Sequence, residues 1–214
     1  MTLLIMSYSR TVEAIVLQTH NVGEADRFCI LLTKELGRVA ARAKSVRRLK
    51  SKMGGALLPF SHARLELIEH KAGYIIVGAE RLHGHEYLSD VASFAAAGEG
   101  TELILRLTQD VEPLPELFAL LSEFLLSCKA PSRHILLGFT LRVLHLLGFL
   151  PESSNMEFFR ALREDERVFI ESCARGAALE DLALDAPGRL EERCHVLLLE
   201  QLSSPLKSTQ ILLC

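Results

Sequence analysis

The sequence has few of the residues that mark several protein classes. It contains no tryptophan, and aromatic residues make up 6% of its 214 residues. Its cysteines are odd in number and scattered, and they form no C-x-x-C pair: Cys29, Cys128, Cys173, Cys194 and Cys214. This pattern argues against a disulfide framework and against a four-cysteine zinc site. We therefore expect reduced, mostly buried thiols, no metal and no cofactor.

Motifs of catalysis are also missing. There is no G-x-x-x-x-G-K-[ST], G-x-G-x-x-G, G-x-S-x-G or H-E-x-x-H pattern. Residues 83–85 (HGH) lack a nearby cysteine ligand, and residues 194–195 (CH) lie on a predicted helix, where neighbouring side chains point in different directions. The sequence therefore predicts a protein that is not an enzyme.

Membrane and secretion signals are not found either. Residues 1–6 are too short and too uncharged for a secretory signal. The longest apolar stretch, residues 134–150, is interrupted by Arg142 and is shorter than a membrane span. We expect a cytoplasmic protein that does not associate with membranes.

Charge is distributed unevenly along the chain. The net charge is −3, which taken alone argues against a nucleic-acid-binding protein. Residues 1–85, however, carry 13 Lys+Arg and 7 Asp+Glu, whereas the remainder carries 11 basic and 20 acidic residues. Such a division predicts one half that binds a polyanion and one half with a different task.

The first eighty residues have the pattern of strands. Short segments rich in β-branched residues, separated by turn residues, predict strands at 11–17, 27–33, 38–44, 57–69 and 74–81. Gly37 supplies the positive φ that the hairpin loop after the second strand requires. Five short strands with this spacing are typical of a small OB-type barrel.

A helical period begins near residue 86. It predicts helices at 87–108 (softly interrupted at residues 98–100), from Pro115 onward, at 132–147, at 155–170 and at 190–202. The third is apolar nearly all round, which places it at the centre of a helical domain. The predicted fold class is α+β: an N-terminal five-stranded OB-type β-barrel (residues 1–82) followed by an all-α helical domain (residues 83–214).

The strongest local signal is a run of cations, residues 42–52, which we call the basic segment. It holds six basic residues and no acidic one: Arg42, Lys44, Arg47, Arg48, Lys50 and Lys52. Solvated charged surfaces normally mix both signs, whereas an unmixed run beside a small barrel suits contact with backbone phosphates. We predict DNA or RNA binding by these six residues, with Arg38 as a further candidate.

The order of these features resembles the RecO family of DNA repair proteins. The resemblance rests on residues 13–19 (EAIVLQT), 23–27 (GEADR), 32–38 (LTKELGR) and the basic segment with residues 54–60 (GGALLPF). It is weaker in the helical half, where residues 141–151 (LRVLHLLGFLP) are similar to the family's central helix.

Three features depart from the family pattern. The family usually begins near what is Met6 here, so residues 1–5 are expected to be an extension or a misassigned start. Ser45 and Leu49 stand where glycine and proline are more usual in the family. We expect these two differences to stiffen or redirect the basic segment without removing charge. Many members carry a four-cysteine zinc module, whereas this chain has only Cys173 and Cys194 in that region and resembles a branch without zinc.

The resemblance implies a mediator of recombinational repair. Such a protein binds single- and double-stranded DNA, anneals complementary strands, and acts with RecR, and in many bacteria RecF, to load RecA onto DNA coated by single-strand binding protein. Phe28, Phe60 and Tyr74 could stack on bases, but aromatic residues in strands more often belong to a core. The scarcity of aromatic residues favours backbone contact over sequence readout.

The helical half is expected to bind the acidic, apolar-ended tail of single-strand binding protein. Arg133 and Arg142 are the candidate partner-binding residues, because both lie on or beside a strongly apolar helix. An internal ion pair with one of the many carboxylates of this half is the alternative for each.

Two other functions remain open from the residues alone. A basic barrel does not by itself distinguish DNA from RNA, so an RNA-binding OB-fold protein is one alternative. The other is a non-catalytic scaffold whose basic segment meets an acidic protein.

Overall fold

The computed structural model describes residues 9–83, 90–150 and 157–201. These residues form two compact units. The first contains the described residues up to His83 together with Thr108–Phe118, and the second contains the rest. No helix in the described part of the chain is long and apolar enough to cross a membrane.

The first unit is a closed barrel of five strands. They are β1 (Ser9–Val22), β2 (Asp26–Thr33), β3 (Gly37–Ala43), β4 (His62–His70) and β5 (Gly73–His83). The order around the barrel is β1-β2-β3-β5-β4, and every pairing is antiparallel except that of β3 with β5. A five-stranded barrel of this kind is the OB fold. The predicted fold class, with helices following the barrel, is confirmed.

Alternation along the strands fills the barrel with small and branched side chains. Leu31 of β2, Val39 of β3 and Leu65 of β4 point into the barrel. The residues directly before and after each of them in the strand point away from its interior. Apolar burial of this extent is the main contribution to the stability of the barrel.

The fourth strand begins later than the sequence predicts. Its predicted start at Leu57 is wrong, because Gly54–Leu57 forms a short 3-10 helix and β4 starts at His62. Phe60 has φ +66, a conformation incompatible with a strand, and its backbone N–H donates to the Val16 carbonyl over 2.7 Å. Leu57 and Phe60 of this run are buried, but their backbone is not extended.

The described residues form six α-helices after the barrel strands. They are α1 (Val91–Leu107), α2 (Pro115–Ser127), α3 (Arg133–Leu146), α4 (Glu157–Arg160), α5 (Glu164–Ala174) and α6 (Gly188–Gln201). Ser132 caps α3 by accepting a hydrogen bond from the Ile135 N–H, and Gly148 follows its end at φ +73, which agrees with the helix predicted at 132–147. The predicted single helix at 155–170 is wrong, since α4 and α5 are separate.

The core of the second unit surrounds α3. Phe139 of α3 stacks on Phe124 of α2 with ring centroids 4.0 Å apart. Gly100 of α1 lies against the Phe124 ring so closely that a Cβ there would collide with it. The glycines at 98 and 100 therefore do not interrupt α1: one of them makes room for an aromatic side chain.

Candidate nucleic-acid interface

The basic segment lies at the end of β3 and in the β3–β4 connection that follows. Arg42 belongs to β3, and the other five cations belong to the connection. All six side chains are exposed. The structure therefore brings all six predicted phosphate-binding residues onto one surface feature of the first unit.

The connection is fixed to the barrel by apolar anchors. Val46, within the basic segment, is 2% exposed and belongs to the barrel core. Ala56 and Leu57, which follow the segment, belong to the same core. Because both ends are buried, the cations between them are held at the barrel rather than on a free loop.

The β1–β2 turn holds the connection from a second side. The Gly23 carbonyl accepts a hydrogen bond from Arg47 Nη1 over 3.1 Å, and the Ala25 carbonyl accepts one from the Arg47 N–H over 2.9 Å. Arg27 Nη1 donates to the Leu57 carbonyl over 2.9 Å at the far end. Residues 23–27 therefore position the basic segment, a role that the sequence analysis missed because the partners are more than twenty positions away.

Asp26 contacts the basic segment through both oxygens of its carboxylate. Its Oδ1 accepts from the Ser45 N–H over 2.8 Å, and its Oδ2 lies 2.8 Å from Arg42 Nη2. The Ser45 hydrogen bond first, and then the Arg42 guanidinium, lower the pKa of Asp26. Asp26 also holds Ser45 at φ +56, which a serine rarely adopts.

The remaining cations keep their charge available. Within the part of the chain that the structure describes, no side-chain hydrogen bond or ion pair involves Lys44, Arg48, Lys50 or Lys52. Among the described residues, Arg42 is therefore the one cation of the basic segment that is ion-paired with a carboxylate, and the potential of the segment stays positive.

Arg38 lies apart from the basic segment. Its Nε is 2.7 Å from Asp110 Oδ1, and its side chain is only 17% exposed. The backbone N–H of Val111 donates to the Arg38 carbonyl over 2.9 Å. Arg38 is thus joined to residues 108–118, which return to the first unit after α1.

The three aromatic candidates occupy different environments. Phe60 is 5% exposed and is therefore not available to a base, whereas Tyr74 is partly buried and packs against the barrel core. Phe28 is half-buried, and its strand neighbour Cys29 points into the barrel, which places Phe28 on the outer face. There it pairs with Arg42 of β3.

In the second unit, both predicted partner-binding arginines have internal carboxylate partners. Arg142 Nη1 lies 3.0 Å from Glu123 Oε2 and donates to the Ala177 carbonyl over 3.2 Å, and its side chain is 17% exposed. Arg133 pairs with both carboxylate oxygens of Glu191 and is 71% exposed. Internal pairing was the alternative for each, and only Arg133 also remains accessible.

No metal-binding cluster is found among the described residues, where no three His, Cys, Asp or Glu side chains group together. The four described cysteines are buried, and burial raises the pKa of each thiol, to about 11 for Cys29 and to about 12 for Cys128, Cys173 and Cys194. Of residues 83–85, only His83 lies within the described part of the chain.

Comparison with protein families gives two matches. Residues 6–82 match the family model described as "Recombination protein O N terminal", and residues 88–183 match that described as "Recombination protein O C terminal". The two matches lie in the order that the fold displays, the first over the barrel and the second over helices.

Individual relatives of the chain are described as DNA repair protein RecO. A DNA repair protein RecO of Myxococcus xanthus is 38% identical over 151 residues, covering 65% of this chain and 59% of that protein. One of Heliobacterium modesticaldum is 35% identical, covering 66% and 52%, and one of Thermoanaerobacter is 30% identical, covering 75% and 66%. The match spans between about half and two thirds of the length of these relatives.

Proposed function

Because the chain belongs to the RecO family of DNA repair proteins, we propose that it binds single- and double-stranded DNA through the basic segment. The observation that carries the proposal is the set of six exposed cations, of which Arg42 alone is ion-paired with a carboxylate, that of Asp26, in the described part of the chain. Cations spaced along an anchored connection suit a phosphate backbone, whose charges repeat regularly. Arg38 contributes less, since Asp110 already neutralises it.

Phe28 extends this interface onto the barrel wall. OB folds bind nucleic acids on the face of strands 2 and 3, where Phe28 and Arg42 are cross-strand neighbours. An aromatic ring beside a cation suits one base and its phosphate. We propose that the strand passes from the basic segment across Phe28.

The finer role that we propose is mediation rather than catalysis. The protein anneals complementary strands and, with RecR and, as in many bacteria, RecF, helps to load RecA onto DNA coated by single-strand binding protein. Support comes from the family matches and from the absence of catalytic motifs in the sequence.

The second unit is proposed to bind the tail of single-strand binding protein. Arg133 suits the carboxylates of an acidic tail because it is exposed, although Glu191 competes for it. Arg142 serves instead to hold Glu123, whose other oxygen accepts from the Leu179 N–H over 2.8 Å. Titration of a labelled tail peptide should show weaker binding by Arg133→Ala at unchanged fold; wild-type protein that fails to bind the peptide would refute this partner.

The test of DNA binding is a salt titration of a triple variant. Replacing Arg47, Arg48 and Lys50 by alanine should weaken binding equally for unrelated sequences, and should reduce the slope of log K against log salt by roughly two units on single strands. Arg64→Ala is the matched control, because Arg64 is an exposed arginine of the same unit paired with Glu80. Unchanged affinity of the triple variant at every salt concentration would refute the site.

Two further measurements separate the alternatives. Competition between matched DNA and RNA strands distinguishes a DNA-binding from an RNA-binding protein. Annealing of complementary strands coated with single-strand binding protein distinguishes a mediator from a scaffold, because a scaffold that binds an acidic protein leaves the annealing rate unchanged.

A further inference from the structure

Leu49 is the most exposed large apolar residue of the described chain, and it lies within the basic segment. Its side chain is fully exposed, with Arg48 before it and Lys50 after it. The Ser51 N–H donates to the Arg48 carbonyl over 2.8 Å, which closes a turn with Leu49 and Lys50 at its two central positions. The leucine therefore stands at the tip of a closed turn.

The tip is presented by an anchored connection. Val46 before it and Ala56 after it are buried in the barrel core, and the Arg48 N–H donates to the Ser45 carbonyl over 3.3 Å. Because the backbone that presents Leu49 is already ordered, burying this side chain costs little backbone freedom, which favours the complex.

The cations on either side decide what can cover this leucine. A bound strand places its phosphates on Arg48 and Lys50, and the only apolar surface that a nucleic acid then offers between them is the face of its bases. Phe60 is buried in the barrel and Tyr74 packs partly buried against its core, whereas Leu49 is fully exposed between the cations. Leucine is one of the side chains that other proteins insert between base steps.

We propose that Leu49 is a base-contacting wedge, which inserts between neighbouring bases of the strand whose phosphates the basic segment holds. The proposal rests on the proposed DNA binding and adds to it a contact with bases. Contact through an apolar side chain releases no counterions, so its contribution to affinity does not depend on salt.

The test compares Leu49→Ser with Leu58→Ser. Leu58 lies in the same connection and is also exposed, but Leu57 and Pro59 flank it instead of cations. Each variant is titrated with a single strand across a salt series, and with a strand of the same length that lacks bases. We expect Leu49→Ser to bind the normal strand roughly tenfold more weakly at every salt concentration, in line with the loss of one buried leucine, and with an unchanged salt slope.

The strand without bases makes the result specific. Wild type and Leu49→Ser should bind it equally, and 2-aminopurine placed in a normal strand should brighten on binding to wild type but not to Leu49→Ser, because inserted leucine unstacks it. An unchanged affinity of Leu49→Ser for the normal strand, or an equal loss in Leu58→Ser, would overturn the wedge while leaving DNA binding intact. Absence of salt-dependent DNA binding by wild type would instead refute the proposed function itself.

Discussion

Asp26 has a separate partner for each of its two carboxylate oxygens. One oxygen accepts from the Ser45 N–H and shapes the start of the β3–β4 connection, and the other neutralises Arg42. Since its pKa is lowered from 3.8, Asp26 stays ionised at neutral pH, and its ion pair with Arg42 is lost only as the pH falls through that lowered value. Substitution of Asp26 can therefore separate the effect of its hydrogen bond to Ser45 from the effect of its negative charge on Arg42.

We predict that Asp26→Asn binds DNA a few-fold more tightly at low salt. An asparagine oxygen can still accept from Ser45, while the loss of negative charge releases Arg42 for a phosphate and steepens the salt slope by up to roughly one unit. Asp26→Ala is the control, because it removes the hydrogen bond as well. Weaker binding by Asp26→Asn than by wild type at low salt would show that the ion pair, and not the hydrogen bond, shapes the interface.

Glu99 on α1 provides a prediction about pH. Burial first, and then the carboxylates of Glu102 and Glu191, raise its pKa to about 7, and its Oε2 has no hydrogen-bond partner in the part of the chain described. Between pH 4.5 and about 7 the folded state keeps on Glu99 a proton that the unfolded state has lost, so the contribution of Glu99 to the free energy of unfolding falls over this range and levels off above it.

Removing the Glu99 charge should consequently stabilise the protein only at high pH. Glu99→Gln is expected to raise the free energy of unfolding by about 1–2 kcal/mol at pH 8 and to leave it nearly unchanged at pH 4.5. Urea unfolding at the two pH values measures both quantities. An equal effect at both would mean that packing, and not ionisation, distinguishes the two side chains.

At the scale of elements, the sequence predicted what depends on local pattern. The barrel strands, the Ser132 cap and the Gly148 stop of α3 all follow from neighbouring residues. The break between α4 and α5 was missed because Ala161 and Leu162 continue an apolar period. Its local signal was Glu166, whose Oε2 accepts from the Arg163 N–H over 2.7 Å and marks a new helix start.

For the candidate site as well, local features could be predicted from the sequence and long-range contacts could not. The six cations lie within eleven consecutive positions, which is why the sequence identified them. The contacts of Asp26 and Arg27 with the β3–β4 connection could not be read from the sequence, because they depend on how the barrel closes. Pairing of Arg142 with Glu123 joins two helices and was foreseen only as an alternative.

Residues 108–114, between α1 and α2, return to the barrel, which the sequence did not predict, and Gly37 tests their packing. Gly37 has φ +69, and a Cβ there would collide with the backbone of Glu112. We predict that Gly37→Ala lowers the free energy of unfolding by more than about 1 kcal/mol. Gly55→Ala, with nothing near the added methyl group, is the control and should change it little. Equal stabilities of both variants in urea would contradict the close approach.

At the scale of the whole molecule, a net charge of −3 coexists with a strongly positive surface feature. Association with DNA depends on the local potential within about a Debye length, roughly 10 Å at 0.1 M salt, and not on the sum over the chain. An acidic residue beyond residue 85 therefore weakens phosphate binding by the basic segment only if it lies within about a Debye length of that segment.

The cysteines allow the absence of a structural metal to be tested on the whole chain. We predict well under one zinc per protein purified without a tag, because a structural site needs about four thiolate or imidazole ligands. Cys214 lies outside the described residues, so the Cys214→Ser variant isolates the four described thiols. Their burial and raised pKa values predict no rapid reaction with a thiol reagent at pH 8, and four reactive thiols once guanidinium unfolds the chain. Stoichiometric zinc, whose chelation exposes thiols and lowers helicity, would contradict the prediction and place this chain with the family members that depend on metal.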